Sequence, residues 1–448
     1  MVASLLLSKD LDKQMKAIKQ MPGSVANVVQ VNIDVIEKDI LPGSISLLHT
    51  ELGISVTDSG QPIPNIANVL RVLEGCQCFK DRIWYDEFHQ KIFTNLRTGS
   101  AREWSDAETI SLTIFMQNNI GFLRIGKEAV FDAVLAYGRL HTRNEPKDWM
   151  ESLIWDKTPR IERFFNDCLG ADENDYTKAA SKNFLIAVVA RIYSPGSKVD
   201  TMPVFEGVQG SLKSTALENL VGKNLYCDAH ESVTSKDFFQ ILPGKLIVEI
   251  AELDAFSRAE VTRIKQVITC KVDRYRASYG RLAEDHPRMS VFVGTTNEES
   301  YLKDNTGARR FWPVKIGKIN IPRIQSDREQ LFAEAVHLYK SGASWWEMPE
   351  TAAAEQESRR QADDWEEVIA KYLVGRLETS TMEVAKDCLY FNPKEIGRAE
   401  QMRVARCLKV LGWTKHDAWR DGKVLKKWFP KDDASLQPSA WEEKGGEL

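Results

Sequence analysis

The stretch VFEGVQGSLKST, residues 204–215, sets a glycine, a lysine and two hydroxyl side chains at spacings suited to a polyphosphate. In the pattern G-x-x-x-x-G-K-[ST], a strand turns through glycines into a helix, and backbone N–H groups and the lysine surround a nucleotide's phosphates. Gly207, Lys213 and Ser214 fall in register with it, while Leu212 stands where the second glycine belongs. An apolar run, MPVFE, precedes the loop and STALENLVG follows it, so the N–H groups and dipole of the following helix point at an anion. Gly207, Gln209, Gly210, Ser211, Leu212, Lys213, Ser214 and Thr215 are therefore the expected ATP contacts. Lys213 would meet the β and γ phosphates and Ser214 the Mg²⁺. Leu212 keeps its backbone N–H, but if its position demands φ > 0 it carries roughly 1–2 kcal/mol of strain and its side chain crowds the nucleotide. The competing explanation is a glycine-rich turn with an exposed lysine.

Hydrolysis needs a carboxylate at the end of a neighbouring strand. KLIVEIAELD supplies Glu252 where the strand should end, expected as the main catalytic carboxylate and a metal contact beside Ser214. Glu249 interrupts the same apolar run and is expected to assist; a buried carboxylate there requires partners, whereas an edge strand would leave it in water. VFVGTTN ends at Asn297, an amide placed to orient water or sense the γ-phosphate, although Asn after a strand is also a common turn residue. In DNTGARRFWPV, Arg309 and Arg310 precede a strand; an arginine supplied by a neighbouring subunit would stabilise charge on the transferred phosphoryl and would imply an oligomer, and a surface ion pair is the alternative. CKVDRYRASYGRLAEDHPR reads as a hairpin carrying Lys271, Arg274, Arg276 and Arg281, with Tyr275 and Tyr279 interleaved. Cations and rings together suit single-stranded DNA, while Asp273, Glu284 and Asp285 allow a merely solvated hairpin.

The elements that must position these residues alternate between strand and helix over 201–345, which argues an α/β sheet with helices on its faces. Upstream, residues 1–58 contain a charged helical stretch and a weak strand, with no assigned role. Residues 59–140 read as a small mixed α+β domain with a hairpin, RIWYDEFHQKIFTN, whose Trp84, Tyr85, Phe88 and Phe93 are expected to form its own core rather than to stack on bases. A helical connector spans 141–200, with apolar i, i+3, i+4 spacing. A polar link, 346–363, leads to helices and a basic hairpin over 364–430, read as a winged-helix-like module, and the tail 431–448 is expected to be disordered.

Composition narrows the classes further. With 448 residues, 43% hydrophobic and 28% charged, the chain suits a soluble globular protein of several domains. A net charge of −4 gives no global pull toward nucleic acid, so any such contact must be local. The seven cysteines are scattered, and Cys76-x-Cys78 is too tight for a zinc knuckle, so reduced thiols in a cytoplasm are expected. No apolar run approaches the length of a membrane span, and the N-terminal one is too short for a signal peptide.

Taken in order, VFEGVQGSLKST, IVEIAELDAFSRAEVTRIKQVIT, DRYRASYGRLAEDHPR, VFVGTTN and NTGARRFWPV, with SLIWDKTPRIERFF and FLIAVVARIYSPGSK upstream, resemble the virulence-associated E family of phage and mobile-element replication proteins. That family is similar to superfamily 3 helicases of the AAA+ class, and the resemblance covers roughly residues 60–345. It implies an AAA+-like P-loop ATPase core, ATP and Mg²⁺ as cofactors, and a homohexameric ring moving on single-stranded DNA. By the same match Lys213 and Ser214 hold nucleotide and Mg²⁺, Glu252 is the hydrolytic carboxylate, Asn297 the sensor and Arg310 the finger. Leu212 departs from the family's G-x-G-K loop. Many relatives also carry an N-terminal primase, for which this chain has no room, so primer synthesis would fall to a separate protein. The rival expectation is an initiator that binds duplex origin DNA through 364–430 and uses ATP as an assembly switch.

Overall fold

The structure, a computed structural model, describes residues 49–431 except 97–98, 230, 236, 277–281, 299–300, 302–307, 360–362 and 421–422. Most of the 1–58 segment, the tail after 431, Tyr279 and Arg281 thus lie outside the described residues. The chain divides into two compact units, with the boundary after Arg359.

The first unit begins with helix α1, Ile66–Gly75, which buries Val69, Val72 and Leu73 at helical spacing. Asn65 caps it, accepting the Asn68 N–H at 2.8 Å. Strands β1 (Ile83–Asp86) and β2 (Lys91–Thr94) form the anticipated hairpin, and β3 (Arg102–Glu103) pairs with β2. Ser105 and Glu108 then form a reciprocal capping box on α2, Asp106–Phe115. Helix α3 (Lys127–Leu140) leads to β4 (Thr142–Arg143), which lies parallel to β1 and completes the sheet order β3-β2-β1-β4. The hairpin's rings pack on the protein itself: Trp84 and Phe88 are buried, Trp84 stacks on Phe93 with centroids 6.3 Å apart, and Arg143 and Arg139 lie over Trp84 and Tyr85.

Helices α4 (Glu145–Ser152), α5 (Phe164–Leu169) and α6 (Asp175–Tyr193) connect this sheet to the next. The chain then alternates through β5 (Met202–Glu206), α7 (Lys213–Val221), β6 (Tyr226–Asp228), β7 (Ile247–Ile250) and α8 (Arg258–Thr269). A two-stranded hairpin follows, β8 (Val272–Tyr275) with β9 (Glu284–Pro287), then β10 (Val291–Thr296), β11 (Phe311–Lys315), α9 (Ile321–Lys340) and α10 (Thr351–Ser358).

Five of these strands form one sheet in the order β11-β5-β10-β7-β6, and every pairing in it is parallel. Both faces are covered, which is why its strands read as nearly unbroken apolar runs. Phe205, Ile247, Val291, Val293 and Trp312 join the core with α6, α7 and α9. Their alternates Met202, Val204, Val248, Ile250 and Phe292 pack with Val261, Ile264, Val267 and Ile268 of α8. Each such fully buried side chain contributes about 1.5–3 kcal/mol relative to exposure, so the sheet is a rigid base for the loops at its ends. Helix α10, anticipated as part of a link, instead packs on β11 with Ala352 buried. The seven cysteines are free thiols. Among the described residues, no helix is long and apolar enough to cross a membrane.

The second unit holds α11 (Asp364–Leu373), a helical segment from Thr381 to Cys388, α12 (Arg398–Val410) and a long hairpin of β12 (Trp413–Arg420) and β13 (Lys423–Pro430). Ile369, Val384, Val404, Cys407, Leu408, Trp413 and Trp428 form its core. Asp363 caps α11 and also accepts from the Arg403 guanidinium at 2.8–3.0 Å, tying α11 to α12.

Candidate functional site

Because the strands are parallel, their carboxyl ends lie along one edge of the sheet, and β10 stands between β5 and β7. The glycine loop leaves β5 at this edge. A Cβ on Gly207 would lie 2.9 Å from Ile316 Cγ1 and 3.4 Å from Ser211 Oγ, so only glycine fits that approach without a shift. Gly210 has φ +79°, and Leu212, immediately before α7, has φ +67° and ψ +24°. The position of the missing glycine therefore does require the left-handed region, and leucine occupies it with its side chain about half exposed.

Lys213 turns back over the loop. Its Nζ donates to the carbonyls of Gly207 and Val208 and, at 3.2 Å, to Oδ1 of Asn297. Asn297 follows the last residue of β10, so the strand between β5 and β7 delivers the amide to the lysine. On the other side, Ser214 Oγ donates to Glu249 Oε1 at 3.1 Å. Glu249 is 1% exposed and takes two further hydroxyls: Thr295 Oγ1 at 2.6 Å and the Tyr226 phenol. These donors satisfy a carboxylate that would otherwise be heavily penalised in a buried strand. Burial, with the Glu249 charge beside it, pushes the Tyr226 phenol well above its ordinary range, so it stays a proton donor to Glu249.

Glu252 lies beyond the end of β7, exposed and with φ +54°. It shares with Gln209, Lys213, Ser214, Glu249 and Asn297 a cavity of about 310 Å³. Ser214 and Glu252 were expected to hold a metal together, but the hydroxyl of Ser214 meets Glu249; Glu252 faces the cavity from outside that contact. Tyr226 and Thr295, which complete the environment of Glu249, were missed. Thr295 sat inside the quoted strand VFVGTTN, but Tyr226, in NLYCDA, gave no signal beyond an apolar strand.

Arg309 and Arg310 occupy a turn just before β11, whose first residue, Phe311, pairs with Met202 at the start of β5. They lie at the amino edge of the sheet, whereas the loop is at the carboxyl edge; β5 is five residues long, a separation of roughly 16 Å at about 3.3 Å per residue. Within one molecule the arginines and the loop are not brought together. Among the described residues, the buried Nε of Arg310 has no hydrogen-bond partner.

The basic hairpin forms as anticipated, with Lys271, Arg274 and Arg276 exposed. Arg274 pairs with Asp285 at 2.9 Å. Tyr275 is not open for stacking, since its ring lies 4.2 Å from that of His286 and its hydroxyl donates to Gln90 Oε1. Asp273 and Arg288, both buried, form the ion pair that roots the hairpin.

Fold and site together define a mixed α/β protein with a five-stranded parallel sheet whose carboxyl edge carries a glycine loop, a lysine–asparagine contact and a buried carboxylate. Residues 150–364 match the family model of the virulence-associated protein E-like domain. Solved structures of the NrS-1 C-terminal region are similar at low identity. An A-form apo structure aligns with TM-score 0.46 and 13% identity over 82% of this chain and 99% of that one. A second apo structure aligns with TM-score 0.42 and 13% identity over 78% and 95%. No curated protein matches.

Proposed function

We propose that the protein is an ATP-dependent DNA helicase of phage or mobile-element replication, acting as a homohexameric ring on single-stranded DNA. The observation that carries this reading is the meeting, at one sheet edge, of Lys213 with Asn297 and of Ser214 with Glu249. A lysine resting on loop carbonyls is poised to exchange them for phosphate oxygens, and an Oγ beside a buried carboxylate is the oxygen donor set that suits a hard divalent cation. Ser214, with Glu249 beside it, would hold Mg²⁺, and the cation when bound would neutralise charge on the phosphates. Glu249 positions the Ser214 hydroxyl, Glu252 takes the proton of the attacking water, and Asn297 orients that water. Arg310 of a neighbouring copy serves as the finger, and its place at the far edge of the sheet fits a contribution between subunits rather than within one. Lys271, Arg274, Arg276 and Arg281 grip the strand.

The test is ATP hydrolysis by the purified chain with and without single-stranded DNA, beside Lys213→Ala and Glu249→Gln. DNA-stimulated turnover that both substitutions remove supports the motor; turnover surviving in Lys213→Ala refutes it. A second reading, an initiator that binds duplex DNA, is favoured by one observation. Over residues 398–431, α12 and the hairpin after it, ten Lys and Arg stand against three Asp and Glu, a local cationic excess of the kind that duplex phosphates attract. Specific duplex binding with no strand separation would favour it over the motor.

A further inference from the structure

Glu206 ends β5 and directly precedes Gly207, and it is only 3% exposed. Its carboxylate accepts from Tyr301 Oη at 3.0 Å and from the Arg359 guanidinium: Nε at 3.1 and 3.2 Å to the two oxygens and Nη2 at 3.2 Å. Arg359 also pairs with Glu355, one turn back. It follows the last residue of α10 and is the last residue of the first unit. Helix α10 in turn packs on β11 and on the turn that carries Arg310, and Gln356 Nε2 donates to the Phe311 carbonyl at 3.1 Å.

A buried carboxylate next to a polyphosphate site opposes the anion unless a cation compensates it, and a forked guanidinium is the side chain best shaped to do so. We propose that Arg359 is a positioning residue for the glycine loop: it neutralises Glu206, fixes the strand end from which the loop springs, and links the loop through α10 to the turn bearing the candidate finger. This rests on the nucleotide reading above. Arg359 touches neither nucleotide nor water in this scheme; it acts through Glu206.

The experiment compares the full chain with Arg359→Gln, Arg359→Lys, Glu206→Gln and the Arg359→Gln/Glu206→Gln double variant. Readouts are the Kd of a fluorescent non-hydrolysable ATP analogue, kcat and KM of ATP hydrolysis, and the thermal midpoint, with Lys213→Ala as control. Arg359→Gln is expected to weaken the analogue about tenfold, the equivalent of ~1.4 kcal/mol, with KM rising in step. The double variant should recover most of that loss, because the stranded charge is gone. A lowered thermal midpoint with unchanged Kd and KM overturns the proposal, as does failure of the double variant to recover affinity. Should Arg359→Gln not fold, Arg359→Lys and Glu206→Gln decide: the first should show a smaller loss, the second should bind about as tightly as the parent, and a tenfold loss in Glu206→Gln overturns the proposal. If the parent binds no analogue, or Lys213→Ala binds it as well as the parent does, the nucleotide reading has failed and the Arg359 role falls with it.

Discussion

Leucine at position 212 is the most direct test of how backbone conformation acts at the loop. Its φ of +67° lies in the left-handed region, where an L-residue with a Cβ incurs roughly 1–2 kcal/mol that glycine does not. Glycine gives back about 0.5–1 kcal/mol through its greater freedom in the unfolded chain. Comparing Leu212→Gly with Leu212→Ala cancels the loss of the half-exposed side chain, which both remove, and leaves the backbone effect. Glycine should therefore be the more stable of the two by about 1 kcal/mol. With an unfolding entropy of about 2.1 cal/mol/K per residue, a unit of this size should shift by roughly 1.5 °C, which scanning calorimetry on the two variants side by side resolves. Asparagine, which tolerates the left-handed region, should fall between them. Under the proposed function, the same pair separates two ways in which Leu212 would slow hydrolysis. Faster turnover in both variants identifies crowding by the leucine side chain, and faster turnover in glycine alone identifies strain in the loop. An alanine variant as stable as the glycine variant would refute the argument, since it would mean that residue 212 does not occupy the left-handed region.

Gly207→Ala should cost about 1–3 kcal/mol, because the added methyl meets Ile316 Cγ1 at 2.9 Å and the strand end must shift; denaturant titration measures the loss, and an unchanged midpoint would contradict the contact. Arg310→Ala should keep nucleotide binding and lose turnover. Mixing it with Lys213→Ala should restore activity at about a quarter of the interfaces of a randomly assembled ring, and a mixture no more active than its components would rule out a finger shared between copies. In the second unit, burial works to raise the Glu383 carboxyl, but Lys427, which donates at 2.6 Å, and Ser380 outweigh it and hold it below its usual range. Its stabilising effect is therefore present above the unfolded carboxyl's pKa and is lost as pH falls through the depressed folded value. Thermal unfolding of the full chain across that acid range should show a shallower decline for Glu383→Gln than for the parent, and identical slopes would show that the pair contributes nothing.

Several local features were legible because their physics is local. The hairpin read over 270–288 formed, because its turn and its alternating residues lie within one short stretch. The runs MPVFE, IVEI and VFVGTT form strands buried on both faces, as mostly apolar stretches of that length require. The cost of leucine in the glycine loop was also readable, since the demand for positive φ belongs to the turn itself.

The candidate site was decided by strand order, which no local period records. Period-two alternation says that a segment is a strand but not which strand lies beside it; that depends on how the intervening connections cross. Only the order β11-β5-β10-β7-β6 brings Asn297 to Lys213, and only the parallel pairing of β11 with β5 sends Arg310 to the amino edge. Only the pleat of β7 chooses between two carboxylates three residues apart, turning Glu249 toward Ser214 and leaving Glu252 at the cavity's rim. And only the docking of α10 on β11 brings Arg359 to Glu206, two charges remote in sequence that are stable in the interior because each compensates the other.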